Sequence, residues 1–411
     1  MNSLVTIESM GARGDGLGQV GGARVAVPFA LPGETVRIDR EGERGTLLAL
    51  EVSSPERITP ICPHFGTCGG CSVQHWQQKS VAEWKRERIA TALKRHRIEA
   101  DIRPTIDAHG DGRRRVTLHI RPAREQAAKT EAGFMRARSH QLVDLDGCPL
   151  LVPALAPAPD LARKIGHILR GLGKPLDLQA TAAHQGLDLD IRGSGPVPDP
   201  LRQRLIALAR EADVARMTLH GERLIEARAP TLSAGELTLS LPPASFLQAT
   251  AEAERVLTRF ALEAAQGAKH VADLFCGLGP FALRLSRHVR TCAYDSDRVA
   301  IEALQRSIRA NPGGKPIQAE ARDLFRRPLF APELKPFDLA LLDPPRQGAE
   351  AQMREIGKSG LARVISISCD PESFARDART LLDAGFRLGA VTPVDQFRHS
   401  AHIEMMAVFS R

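Results

Sequence analysis

The chain has 411 residues, 43% of them hydrophobic, which is enough apolar material for two or three domains. Its formal charge of +8 and pI near 9.4 point to an anionic partner such as nucleic acid. No apolar run reaches the roughly 18 residues that a membrane span needs, and "MNSLVTIESMGARGDG" lacks the regions of a secretory signal, so the expectation is a cytoplasmic protein without a membrane partner.

Residues 3 to 52 alternate short β-prone runs, "LVTIES", "ARVAVPF", "ETVRID" and "GTLLALEVS", with turns such as "GARGDGLGQVGG" and "LPGE". That spacing predicts a small antiparallel barrel. Residues 54 to 76, "SPERITPICPHFGTCGGCSVQHW", are rich in Pro, Cys and Gly and carry no regular period, so something other than a core must organise them. Cys62, Cys68 and Cys71 form a C-x5-C-x2-C cluster there, and Cys148 follows in "DLDGCPLL". Four thiolates can hold a [4Fe-4S] cluster or a tetrahedral zinc. The three-plus-one arrangement favours iron-sulfur, because zinc sites usually show paired knuckles; His64 and His75 are alternative zinc ligands.

A helix is predicted over residues 77 to 97. Val81, Trp84, Ile89, Ala92 and Leu93 fall mostly on one side, so the helix can dock while Lys79, Lys85, Arg86, Arg88, Lys94, Arg95 and Arg97 show basic charge. Residues 113 to 240 mix strand-like stretches ("RVTLHIRP", "LDLDIRG", "RMTLHG", "LTLSL") with the helical "PDLARKIGHILRGL", an α+β pattern.

From about residue 250, helix-sized segments separate the strands "KHVADLF", "RTCAYD", "PIQAEA", "FDLALLD" and "RVISISC", the pattern of a doubly wound parallel sheet. The final "RLGAVTPVDQF" and "HIEMMAVFSR" lack a helix between them and read as an antiparallel closing pair. In "VADLFCGLGPFALRL" a strand runs through Gly277 and Gly279 into a helix, which lets backbone approach a ligand at the sheet edge. The spacing is not G-x-G-x-x-G, which argues against an NAD-dependent oxidoreductase. Asp273, Asp295, Asp323 and Asp343 stand at successive strand ends, and Asp295 is suited to accept ribose hydroxyls. Together these features resemble a class I S-adenosylmethionine-dependent methyltransferase.

Nearly the whole chain resembles the bacterial RNA 5-methyluridine methyltransferases, especially those acting on 23S rRNA. The matching stretches include "GDGLGQVGGARVAVPFALPGETV", the cysteine loop, "GFMRARSHQLVDLDGCPLL", "ADLFCGLGPF", "LLDPPRQG", "SISCDPESFARDARTLLDAGF" and "FRHSAHIEMMAVFSR". The resemblance implies three units: a TRAM-like OB barrel for RNA over 1 to 55, an iron-sulfur and α+β RNA-binding region over 56 to 240, and a Rossmann-like methyltransferase domain over 241 to 411. It implies Cys62, Cys68, Cys71 and Cys148 as [4Fe-4S] ligands, Cys369 as nucleophile and Glu404 as base. The cofactor positions implied are Gln248, Phe275, Pro280, Asp295, Asp323 and Asp343, with Gly277 and Gly279 in the loop.

Several positions depart from the family pattern: Ala249 and Thr250 follow Gln248 where Q-x-N is usual, Pro280 stands where Asn is common, Asp295 where Glu is, and Asp370 where Asn is. Uracil C5 is too weakly nucleophilic to take a methyl group until a nucleophile adds at C6, and cysteine can both add and leave. The target base must leave its stack, and Phe246 is a candidate stacking surface. Arg346 is a candidate for phosphate or base contact, with a surface arginine as the alternative. The expectation is a monomeric enzyme acting on rRNA, with a tRNA 5-methyluridine enzyme or a noncatalytic metal-containing RNA-binding protein as alternatives. An RNA cytosine-5 methyltransferase is disfavoured, because its signature places the catalytic cysteine after a proline.

Overall fold

A computed structural model describes residues 2–123 and 129–411. The first five strands, Asn2–Met10, Asp15–Val20, Ala23–Pro28, Thr35–Glu41 and Arg44–Val52, close into a barrel. Alternation places Val5, Ile7, Val25, Val27, Val36 and Ile38 inside. One strand, Asp15–Val20, lies within a stretch expected to be a turn. Its glycines mislead because they serve close packing: a Cβ at Gly16 would lie 2.6 Å from the Ala30 carbonyl oxygen, and one at Gly18 would collide with that of Thr6.

The middle of the chain builds a seven-stranded sheet in the order Glu222–Glu226, Arg216–Leu219, Gly186–Arg192, Leu176–Ala183, Arg115–Arg121, Glu131–Met135, Leu142–Asp144. Helices Ala158–Leu169 and Asp199–Glu211 pack Leu161, Ile165, Leu205 and Leu208 against Leu118, Ile120, Leu178 and Leu189.

The C-terminal sheet runs Ile317–Ala321, Arg290–Asp295, His270–Leu274, Leu339–Leu342, Arg363–Ser368, Glu404–Ser410, Thr392–Asp395, Ile106–Asp107, and Arg387–Leu388 pairs with Glu404–Ser410 off this path. The first five strands are parallel, and Glu404–Ser410 enters antiparallel beside Arg363–Ser368. Residues alternate between two cores: Val271, Leu339, Leu341 and Ile365 pack with helix Ala251–Ala264, while Ala272, Ala340, Leu342 and Val364 pack with helix Pro371–Asp383. Burial on both faces explains why these strands read as continuous apolar runs.

Helix Gln78–Arg95, grouped by sequence with the central region, packs instead on this sheet, with Ile89, Ala92 and Leu93 in the same core as Phe374. Its basic face is also less free than expected. Lys85 is buried in a 2.7 Å ion pair with Asp395, Arg86 pairs with Glu83, Arg95 pairs with Glu372, and Arg88 lies over the Trp84 ring while donating to the Ala401 carbonyl. Among the described residues no helix is long and apolar enough to cross a membrane.

Candidate active site

A cavity of about 680 Å³ opens at the C-terminal edge of the parallel strands, where open α/β sheets take their ligands. Cys369, Glu404, Gln248, Phe275, Gly277, Pro280, Asp295 and Asp343 all line it; Gly279 and Asp323 are not among its lining residues. Each exception has a local explanation. A Cβ at Gly279 would lie 2.6 Å from Leu304, so this glycine lets helix Pro280–Leu285 pack on helix Arg298–Ala310. Asp323 accepts hydrogen bonds from the backbone N–H groups of Phe325 and Arg326, which closes a turn.

Asp295 accepts from Gly277 N–H at 2.8 Å and from Asp297 N–H at 2.9 Å, so one carboxylate fixes the glycine loop while facing the cavity. Phe275 leaves its strand with φ of 62°, a conformation rare for a bulky residue, and its ring meets Phe325 at 5.1 Å. Phe246 lines the same cavity and is 74% exposed. Pro280 is the first residue of its helix, where its missing N–H leaves no hydrogen bond unmade.

Strand register brings Cys369 and Glu404 together. Ser368 pairs with Met405, and the next residue outward on each strand is Cys369 on one and Glu404 on the other. Asp370, beside Cys369, is the N-cap of helix Pro371–Asp383: its carboxylate accepts from Glu372 N–H and Ser373 N–H. That role accounts for the carboxylate that the sequence left unexplained.

Burial first, then the carboxyls of Glu404 and Asp343, push the Cys369 thiol up to about 12, while Arg346 acts in the opposite sense and Asp370 contributes least. Burial and Asp343 raise Glu404 to about 8, opposed by a hydrogen bond from Gln396 and by Arg346. Burial raises Asp343 to about 7 against the 2.9 Å hydrogen bond donated by Gln248. Asp273, fully buried beneath Asp343, is raised well above the carboxylate range, mainly by burial. Arg346 bonds the imidazole of His402, which burial first, and then Arg346, holds near 4 and therefore neutral. The site thus holds a thiol, two carboxyls of elevated pKa and the Arg346 guanidinium that acts on both Cys369 and Glu404, suited to a nucleophilic addition coupled to proton transfer.

Gln396 was not anticipated from sequence. It is 1% exposed and bonds both Gln248 and Glu404. Nothing in its local sequence marks it, since its partners come from other elements.

A second cavity, about 730 Å³, is lined by Cys62, Cys68, Cys71, Cys148 and His64. His75 is not among its lining residues; it is 1% exposed and packs its ring against Phe29 and Phe65. Arg113, Arg115, Val116 and Thr117 line both cavities, so the two share a wall. Gly70 N–H and the Gln74 amide point at the sulfurs of Cys68 and Cys71 at 3.4 and 3.3 Å. Burial, with repulsion from neighbouring thiolates, raises Cys68 and Cys148 and takes Cys71 to about 11. Among the described residues no group of three or more His, Cys, Asp or Glu could hold a metal ion as the side chains stand.

Comparison with known proteins agrees with this geometry. Residues 317–411 match the family model described as tRNA (Uracil-5-)-methyltransferase. An RNA methyltransferase of Caulobacter vibrioides is 44% identical, covering 99% of both chains, and one of Brucella suis is 42% identical, covering 99% of this chain and 97% of that protein. The 23S rRNA (uracil(1939)-C(5))-methyltransferase RlmD of Chromohalobacter salexigens is 33% identical over 95% of this chain and 85% of its own length. Among solved structures, the tRNA (uracil-54, C5)-methyltransferase of Pyrococcus abyssi, in complex with S-adenosyl-L-homocysteine, superposes with a TM-score of 0.72 over 100% of both chains at 21% identity, a likeness of fold. Relationship to an rRNA uracil-C5 enzyme over 95% of this chain, a matching family model and a cavity holding a thiol opposite a carboxyl lead to one assignment: the chain belongs to the RNA (uracil-C5)-methyltransferase family.

Proposed function

We propose that the protein transfers a methyl group from S-adenosylmethionine to C5 of a uridine in 23S rRNA, with Cys369 as nucleophile and Glu404 as base. The observation that carries this reading is the register that sets Cys369 and Glu404 side by side at the ligand edge of the sheet. Asp295 with the Gly277 loop and the Phe275 ring would hold the cofactor, which supplies an electrophilic sulfonium methyl group.

Cys369 releases its proton to solvent and forms a bond from sulfur to uracil C6, and the C5–C6 electrons move toward the O4 carbonyl. C5 then takes the methyl group, leaving a neutral thioether. Glu404 removes the C5 proton, the C5–C6 double bond re-forms, and the Cys369 thiolate leaves. Phe246 would stack on a base at the entrance, filling the gap left by the extruded uridine. Asp323 and the Gly279 end of the loop would complete the cofactor positions, and Asp273 is left to support its strand end.

The chain reads as a TRAM-like barrel over 1 to 55, a central region over 56 to 240 and a methyltransferase region from 241, with the segment around Gln78–Arg95 serving the last of these in packing. Cys62, Cys68, Cys71 and Cys148 would hold a [4Fe-4S] cluster. Support comes from four half-buried thiols around one cavity, with repulsion from neighbouring thiolates felt at Cys68, Cys71 and Cys148, together with N–H donors aimed at two of the sulfurs; cationic iron would relieve that repulsion. The three-plus-one spacing of the cysteines favours a cluster over a single zinc. Its place behind the shared wall, which carries Arg113 and Arg115, suits a structural role in shaping the RNA face.

The favoured rRNA substrate rests on the relationship to the Chromohalobacter enzyme. Incubating the purified protein and S-adenosylmethionine with in vitro transcribed 23S rRNA and, separately, a tRNA transcript, then mapping 5-methyluridine, tests it. Methylation of the rRNA alone is expected; methylation of the tRNA alone would overturn the substrate assignment.

A further inference from the structure

Three buried polar side chains, Gln396, Gln248 and Glu404, and the half-buried Asp343 form a continuous hydrogen-bonded line along the catalytic cavity. Ala249 N–H donates to Gln396 Oε1 at 2.7 Å. Gln396 Nε2 donates to Gln248 Oε1 at 2.8 Å and to Glu404 Oε1 at 3.1 Å. Gln248 Nε2 donates to Asp343 Oδ2 at 2.9 Å. The glutamines are 1% and 7% exposed and Glu404 is 4% exposed, so none of these bonds is readily replaced by solvent.

The line has a direction, and it originates in the backbone. A side-chain amide can usually rotate by a half-turn and exchange donor for acceptor. Here the Ala249 N–H can only donate, so the Gln396 oxygen must face it and the Gln396 NH₂ must face the other way. The Gln248 oxygen must then turn to Gln396, which leaves the Gln248 NH₂ toward Asp343 and the cavity. Gln396 is itself held in place. The preceding residue, Asp395, is buried in the ion pair with Lys85, and Lys85 also donates to the Phe397 carbonyl at 3.1 Å.

Resting on the proposed uridine chemistry, the geometry points to Gln396 as a positioning residue that makes the pocket select uracil over cytosine. It does so without touching the base. It locks Gln248 as a donor beside Asp343 as an acceptor, and it holds the Glu404 carboxyl. Uracil offers an O4 acceptor and an N3–H donor to such a pair, whereas cytosine offers an N4 donor and a bare N3 acceptor. Both contacts fail for cytosine, and a site built around hydrogen bonds rejects a ligand that leaves its polar groups unpaired.

Two substitutions separate this role from simple packing. Gln396→Met keeps the side-chain length but removes both ends of the lock. Gln396→Glu keeps an acceptor for Ala249 N–H but presents a second acceptor to Gln248, which turns the Gln248 NH₂ away from Asp343 and its oxygen toward the base. Methyl transfer is measured on the transcript whose uridine the wild type modifies and on the same transcript with cytidine at that position. Binding of S-adenosylhomocysteine by calorimetry reports on the fold of each variant.

Gln396→Met is expected to lose roughly tenfold or more in kcat/KM on uridine while the uridine-to-cytidine ratio narrows. Gln396→Glu is expected to shift that ratio further toward cytidine. Variants that bind S-adenosylhomocysteine like the wild type and keep its uridine-to-cytidine ratio would overturn the inference. A wild type that methylates no uridine in any RNA would instead remove the reading on which it rests.

Discussion

Cys369 and Glu404 face each other across two adjacent antiparallel strands, one residue beyond the Ser368 to Met405 pair. The relationship follows from the antiparallel entry of Glu404–Ser410 beside the parallel strand Arg363–Ser368. A parallel neighbour running through a helix would bring a different residue to that edge. Cys369 directly follows strand Arg363–Ser368 and Glu404 opens strand Glu404–Ser410, so the sheet limits how far the two can move apart.

The pH dependence of turnover follows from the two elevated pKa values. Cys369, near 12, attacks as thiolate, and the thiolate fraction grows tenfold per pH unit below that value. Glu404, near 8, accepts a proton only when ionised. Both requirements have the same sign, so kcat should rise from pH 6.5 to pH 8.5 with no maximum below pH 7. A bell centred on pH 6, measured under saturating RNA, would contradict this.

Glu404 also leaves a signature in stability. Its carboxyl has an ordinary value of 4.5 and is raised to about 8 in the fold, so between these values the folded state holds a proton that the unfolded state has released. Stability contributed by this group is therefore present below pH 4.5 and lost as pH rises through 8. Glu404→Gln removes that loss. Its melting temperature should match the wild type near pH 4.5 and exceed it by a few degrees, roughly, at pH 8.5. Differential scanning fluorimetry at the two pH values checks the sign.

The two loop glycines should respond differently to alanine. Both have positive φ, 53° at Gly277 and 72° at Gly279, but a Cβ at Gly277 meets nothing within 4 Å whereas one at Gly279 strikes Leu304 at 2.6 Å. Gly279→Ala should cost about 1–3 kcal/mol more than Gly277→Ala in urea unfolding. Gly277→Ala, at the cavity wall, should instead weaken S-adenosylhomocysteine binding.

Much of this was legible in the sequence because its signals are local. The five parallel strands are buried on both faces and so appear as apolar runs, and Phe275, Asp295, Asp343 and Cys369 of the cavity lining sit at or just past their ends. The failures have physical causes. Strand Asp15–Val20 was hidden by glycines that serve packing. The basic helix displayed charges whose partners, Asp395 and Glu372, lie some three hundred residues away in the chain, beyond any periodicity argument. Gln396 escaped for the same reason, since its bonds to Gln248 and Ala249 exist only after folding.

The cysteine cavity predicts a metal content. Protein purified without oxygen should carry about four iron and four sulfide per chain. Cys71→Ser should lose most of both, because Cys71 is the thiol whose value, about 11, reflects the deepest burial and two thiolate neighbours. Stoichiometric zinc in place of iron would contradict the cluster assignment.

The central claim, that Cys369 adds to uracil C6, is tested most directly with RNA transcribed with 5-fluorouridine in place of uridine. Fluorine at C5 cannot leave as a proton does, so Glu404 has nothing to remove and the covalent adduct should persist through denaturing electrophoresis. Wild type with S-adenosylmethionine should form an adduct whose cross-linked peptide contains Cys369, and Cys369→Ala should form none. An adduct that survives in Cys369→Ala, or that maps to another residue, would contradict the account.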